Sequence, residues 1–146
     1  MMEAITQAEA FTPEECNMIL AAAATLESRD GAIGGVGVSS HARRASTRWL
    51  KKDDFGWVYE RVVNISMATN GEAWGFERID GAESIQISAY ESAVSGYYNW
   101  HADTSMSGDT VAIRRRVLSA SVQLTDPAEY TGGELEVRVR TVVIFD

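Results

Sequence analysis

A change of period near Gly81 constrains this chain more than any other feature. Before it, apolar residues recur at three- and four-residue spacing. After it they alternate with polar ones, as Ile85, Ile87 and Ala89 do with Gln86, Ser88 and Tyr90. Helices first and strands later imply an α+β layout, with helices buttressing an antiparallel sheet or barrel. A chain of 146 residues fits one domain. With neither a repeat nor a boundary in it, residues 1–80 read as helical support and residues 81–146 as the β portion.

Thr12-Pro13-Glu14-Glu15 marks a helix start: Thr12 caps, Pro13 suits the first turn, and the two acids favour the positive helix end. The helix is expected to run to about Ser28, burying a stripe of Cys16, Ile19, Leu20, Ala23 and Leu26 against a flat partner. A second helix is expected from Asp53 or Asp54 to Asn70, with Val58, Val62 and Ile65 buried and Asn70-Gly71 as the stop. It should lie beside the first. The four glycines between Arg29 and Ser40 predict a mobile loop, and the stretch lacks the strand and lysine of a phosphate-binding loop. Further strands are expected at Tyr97 to Asp103, Val117 to Thr125 and Leu135 to Phe145, with Gly132-Gly133 making a tight turn.

Composition removes several function classes. The formal charge of −8 supplies no field to attract a phosphate backbone, so nucleic acid is not an expected partner. Cys16, the lone cysteine, has no internal disulfide partner and reads as a small core residue. The opening MMEAITQAEA lacks the pattern of a secretory signal, and no run approaches the roughly 20 apolar residues of a membrane span. A cytoplasmic location, away from membranes, is the expectation.

His101-Ala102-Asp103 reads by itself as a surface or core histidine, with the start of a metal site as the alternative. On a strand, His101 and Asp103 point to one face, so an imidazole and a carboxylate can share one ion. Two histidines and a carboxylate on one face of non-heme Fe(II) leave positions open for a chelating cosubstrate and O₂, and two of those three ligands are evident. In Val117 to Leu124, alternation sends Val117, Ser119, Ser121 and Gln123 one way and Leu118, Ala120, Val122 and Leu124 the other. The polar set is either solvated or lines a wet pocket. Arg114-Arg115-Arg116 reads as a charged edge that discourages sheet-to-sheet pairing, with substrate steering as the alternative. His41 reaches the site only if its loop folds over the mouth.

Order, spacing and residue type together give a resemblance. Ile85 to Tyr90, then Tyr98-Asn99-Trp100-His101-Ala102-Asp103, Arg116-Val117-Leu118-Ser119 and Tyr130-Thr131-Gly132-Gly133-Glu134-Leu135 resemble the prolyl 4-hydroxylase-like branch of the iron(II)- and 2-oxoglutarate-dependent dioxygenases. There the pattern is a tyrosine strand, YxWHxD, RxLS and YxGGEL. Thr12 to Cys16 is similar to the family's first helix start, and Arg44 to Leu50 to its Arg-x-Ser segment. The resemblance covers nearly the whole chain and is specific between Tyr90 and Leu135.

The resemblance implies a double-stranded β-helix, a jelly roll with N-terminal helices packed on the sheet and the metal near one mouth. It implies His101 and Asp103 as iron ligands, and Tyr90, Ser119, Ser121 and Gln123 lining the cosubstrate pocket. Tyr90 stands one residue farther from the metal than in some relatives, and cross-strand packing is its other reading. The cofactors implied are Fe(II) and 2-oxoglutarate, with ascorbate as a reductant. The substrate class is an amino acid, a peptidyl proline or another small molecule.

The family also places a distal histidine after the strand that resembles Thr141 to Phe145, and then an arginine for the cosubstrate. No histidine follows Asp103 and no arginine follows Arg140. Three sources remain: a chain that continues beyond Asp146, which is the leading expectation, a second copy paired through an exposed sheet edge, or a non-catalytic jelly-roll binding or assembly module.

Overall fold

The computed structural model describes residues 4–33, 37–39, 41–103 and 116–137. Its elements in chain order are α1 (Pro13–Ala24), β1 (Arg29–Asp30), β2 (Ala32–Ile33), β3 (Gly37–Val38), β4 (Arg43–Arg44), β5 (Ser46–Leu50), α2 (Gly56–Ala73), β6 (Ile85–Ala89) and β7 (Tyr97–Tyr98). Short 3-10 turns lie between β6 and β7 at Ser92–Val94 and after β7 at Pro127–Glu129. The architecture is α+β, as the change of period predicts, with two helices and small antiparallel sheets. Among the described residues the sheets close no barrel, and no helix is long and apolar enough to cross a membrane.

α1 starts where expected. The Thr12 hydroxyl accepts from Glu15 N–H at 3.2 Å, while the Glu15 carboxylate accepts from Thr12 N–H at 2.9 Å, a reciprocal cap. The helix ends at Ala24, earlier than the expected Ser28. Thr25 tightens the last turn by donating its hydroxyl to Ala22 O at 2.8 Å, and the chain must extend by Arg29 to pair with β5.

α2 is shifted by about one turn. Asp54 and Phe55 N–H both donate to Lys51 O, so a turn occupies the expected first residues and the helix starts at Gly56. At the other end the helix runs through Asn70-Gly71 and stops before Gly75, whose φ of +66° suits glycine. The buried Asn70 amide brackets Phe76, donating to its carbonyl and accepting from its N–H, both at 3.0 Å.

The principal sheet has the order β1-β5-β6, all antiparallel, with Leu50 opposite Ile85, Arg48 opposite Ile87 and Ser46 opposite Ala89. Its two faces differ in chemistry. Leu50 joins Phe11, Ile19, Ala23, Phe55, Val58 and Tyr59 in the core beneath the helices, with the half-buried Ile85, Ile87, Cys16, Leu26, Val62 and Leu124 packed against it. The apolar stripes of both helices thus meet the sheet. Gln86 and Ser88 belong to the opposite face.

One loop expectation and two strand expectations are corrected, and most of a third strand expectation, residues 138–145, lies outside the described residues. The glycine-rich stretch is not all loop, because β2 and β3 pair with Ala32 opposite Val38; residues 34–36 lie outside the described residues. The strand expected over Tyr97 to Asp103 is only Tyr97–Tyr98. Val117 to Thr125 and the described start of the strand expected over Leu135 to Phe145, residues 135–137, contain no strand, since a strand exists only by pairing and no described neighbour supplies a ladder. Gly132 and Gly133 take φ of +77° and +72°, the expected turn.

Arg61 of α2 grips Glu15 of α1 with both guanidinium arms, at 3.0 and 3.2 Å. That hydrogen-bonded pair, followed by the Thr12 N–H, holds the Glu15 carboxyl below its ordinary range. A carboxyl lowered on folding contributes stability that is complete above its unfolded pKa and lost as pH falls through the folded one. Arg61→Met is therefore expected to return Glu15 towards ordinary titration, read by carboxyl NMR, and to make acid unfolding less steep. An unchanged Glu15 titration would contradict this.

Candidate metal centre

β7 is held against β4, with Tyr98 opposite Arg43 and Tyr97 opposite Arg44. Beyond the strand, Asn99 N–H donates to Ala42 O at 2.9 Å and its side-chain amide to His41 O at 2.9 Å, so the chain leaves the strand at a fixed point. It then bends at Trp100. The bend breaks the alternation expected of a strand and brings His101 back over its own approach.

His101 Nδ1 lies 2.8 Å from Asn99 O. A carbonyl oxygen only accepts, so Nδ1 carries the proton and the neutral ring keeps its lone pair on Nε2. Fixing one ring nitrogen on a backbone carbonyl is the usual way a metal-binding imidazole is oriented. His101 Nε2 stands 3.4 Å from Asp103 Oδ1, with 38% and 43% of the two side chains exposed. That separation is long for an N–H···O bond. It fits two donors each about 2.1 Å from one ion, which lie about 3.0 to about 3.4 Å apart for angles between square and tetrahedral. The pair therefore fits a divalent cation. Among the described residues no third His, Cys, Asp or Glu joins it.

Two arginines frame the pair. Arg116 Nη1 is 3.4 Å from the same Asp103 oxygen, and its Nη2 donates to Glu83. Glu83 is the larger influence: its hydrogen bond is the first cause holding the Arg116 pKa up, burial opposes it, and Asp103 adds to it. Arg43, 7% exposed, donates from Nη2 to Gln86 Oε1 at 2.8 Å and to Ser88 Oγ at 2.7 Å. Its guanidinium lies 4.5 Å from the Tyr98 ring centroid, and the Tyr98 ring stacks on His101 at 3.7 Å with a 17° tilt. A continuous chain of contacts thus runs from β6 through Arg43 and Tyr98 to the imidazole. Beside Arg43 an open cavity of about 400 Å³ is lined also by Arg44, Ser46, Ala89 and Glu91.

The structure brings His101 and Asp103 together. Tyr90 is 45% exposed, one residue past β6, and Ser119, Ser121 and Gln123 are exposed; the hydrogen bonds and ion pairs of His101 and Asp103 run to Asn99, Arg116 and each other instead. The expected alternation over Val117 to Leu124 holds at Leu118 and Leu124, which are half-buried, and fails at Ala120 and Val122, which are exposed. Arg116 is exposed, as expected of a charged edge, and in addition contacts the carboxylates of Glu83 and Asp103; Arg114 and Arg115 lie outside the described residues.

Sequence reasoning missed Arg43, Tyr98, Asn99, Glu83 and the role of Arg116. Gln86 and Ser88 were detectable by parity, being opposite to Ile85 and Ile87. Arg43 carried no signal, since a basic residue beside a glycine-rich stretch reads as exposed. In comparisons with family models, with curated proteins and with solved structures, nothing matches the chain.

Proposed function

We propose that this protein is an iron(II)- and 2-oxoglutarate-dependent dioxygenase that hydroxylates an amino-acid, peptidyl-proline or other small-molecule substrate. The observation that carries the reading is the His101–Asp103 pair: an imidazole whose proton is held on Nδ1, with Nε2 and a carboxylate oxygen 3.4 Å apart. The spacing of the YxWHxD, RxLS and YxGGEL segments supports the reaction class. The same reading makes the β1-β5-β6 sheet part of a double-stranded β-helix, with the Gln86 and Ser88 face turned to the site.

Iron(II), if bound, would supply the activation of O₂, one atom of which ends in succinate as 2-oxoglutarate loses CO₂ and the other in the hydroxyl placed on an unactivated C–H bond. The chain's own residues bind and orient. His101 and Asp103 provide two donors, the Asn99 carbonyl faces Nδ1 and so leaves Nε2 as the ring nitrogen turned to Asp103, and Tyr98 pins the ring plane. Among the described residues no third His, Cys, Asp or Glu stands with His101 and Asp103.

Anaerobic addition of Fe(II) and 2-oxoglutarate is expected to give the visible charge-transfer band of a chelated iron, and His101→Ala to abolish it. A protein that stays colourless and consumes no 2-oxoglutarate with varied amino-acid and peptide substrates would sink the proposal. That outcome would favour a binding or assembly module built on the same scaffold.

A further inference from the structure

Glu83, Arg116, Asp103 and His101 form one connected line of charge: Glu83 Oε2 accepts from Arg116 Nη2, Arg116 Nη1 stands 3.4 Å from Asp103 Oδ1, and that oxygen stands 3.4 Å from His101 Nε2. The two 3.4 Å contacts end on a single carboxylate oxygen. A divalent cation and the guanidinium therefore compete for it. A cation accepting His101 Nε2 and Asp103 Oδ1 draws that oxygen's charge towards itself and weakens its hold on Arg116. Arg116 does not then drift away, because its other arm is tied to Glu83, 33 residues earlier in the chain. It remains beside the ion with Nη1 released, and a guanidinium beside a metal is suited to a carboxylate that the metal also binds.

Resting on the metal reading of this site, we propose that Arg116 is its anion-binding residue: it occupies Asp103 when no cation is present, and receives the carboxylate of a small 2-oxo acid once a cation has taken Asp103. Metal and carboxylate ligand then bind interdependently, each raising the other's affinity by the same factor. The residue acts by binding and not by moving a proton.

Mn(II) titrations of the full chain, followed by loss of the free-ion EPR signal with and without saturating 2-oxoglutarate, test this. In the unsubstituted protein 2-oxoglutarate is expected to tighten Mn(II) binding roughly tenfold. Arg116→Gln is expected to bind Mn(II) alone at least as tightly, because a competing cation is gone, and to lose the enhancement. Glu83→Gln, which keeps the guanidinium but frees its tether, is expected to fall between the two. Full enhancement retained in Arg116→Gln, or weaker binding of Mn(II) alone by that variant, overturns the proposal while leaving the metal site standing. Absence of Mn(II) binding by the unsubstituted protein overturns both.

Discussion

Leu50→Ala is expected to lower folding stability by about 2 to 5 kcal/mol, the range for emptying a buried leucine site. Leu50 is 2% exposed and ends β5, where it packs among Ile19, Val58, Tyr59 and Ile85. Removing its isobutyl group forfeits transfer energy and leaves a cavity that two helices and a sheet cannot all close upon at once. Against a typical domain stability of about 5 to 15 kcal/mol, the loss is large. Urea unfolding should show a lower midpoint with an unchanged slope. A loss below about 1 kcal/mol would mean that the helices do not rest on this face of the sheet.

Gly96→Ala is expected to damage the site and the fold together. A Cβ there would lie 2.8 Å from Glu91 N and Tyr90 Cα and 2.9 Å from Tyr90 C, all backbone atoms. No rotamer relieves such contacts, so the turn itself must open, at a cost of about 1 to 3 kcal/mol. Gly96 N–H also donates to Glu91 O at 2.9 Å, closing the turn that delivers Tyr97 and Tyr98 to β4. The variant should therefore lose thermal stability and also the ring-current shift that Tyr98 imposes on His101. If only the melting temperature moves and the His101 ring signals stay put, β7 is positioned by something other than this turn.

Legibility in the sequence followed the range of the forces. The capping box at Thr12 and Glu15, the stripe through Ile19 and Ala23, and the alternation of Ile85 to Ala89 rest on neighbours a few residues away, and they were readable. The start of α2 was not, because Phe55 anchors in the core and Lys51 O closes a turn ahead of the helix. His101 and Asp103 were identified by type and spacing, although the reason was mistaken: a bend at Trp100, and no continuing strand, brings them together. Arg43, Gln86 and Ser88 meet across more than 40 residues, with Arg43 to Gln86 separated by 43 and Arg43 to Ser88 by 45. No local pattern announces such a contact.

The Tyr59 hydroxyl donates to Leu50 O at 2.6 Å and accepts from Ile85 N–H at 2.8 Å. The phenol is thus a side-chain rung in the ladder between β5 and β6, contributed by a helix. A slip of one residue between those strands would strand a backbone carbonyl and an amide in the core, so the tyrosine acts as a register gauge. It also couples assembly steps, because the last strand pair is complete only after α2 has docked. The slowest amide protons of the sheet and those of the middle of α2 should therefore exchange as one cooperative unit.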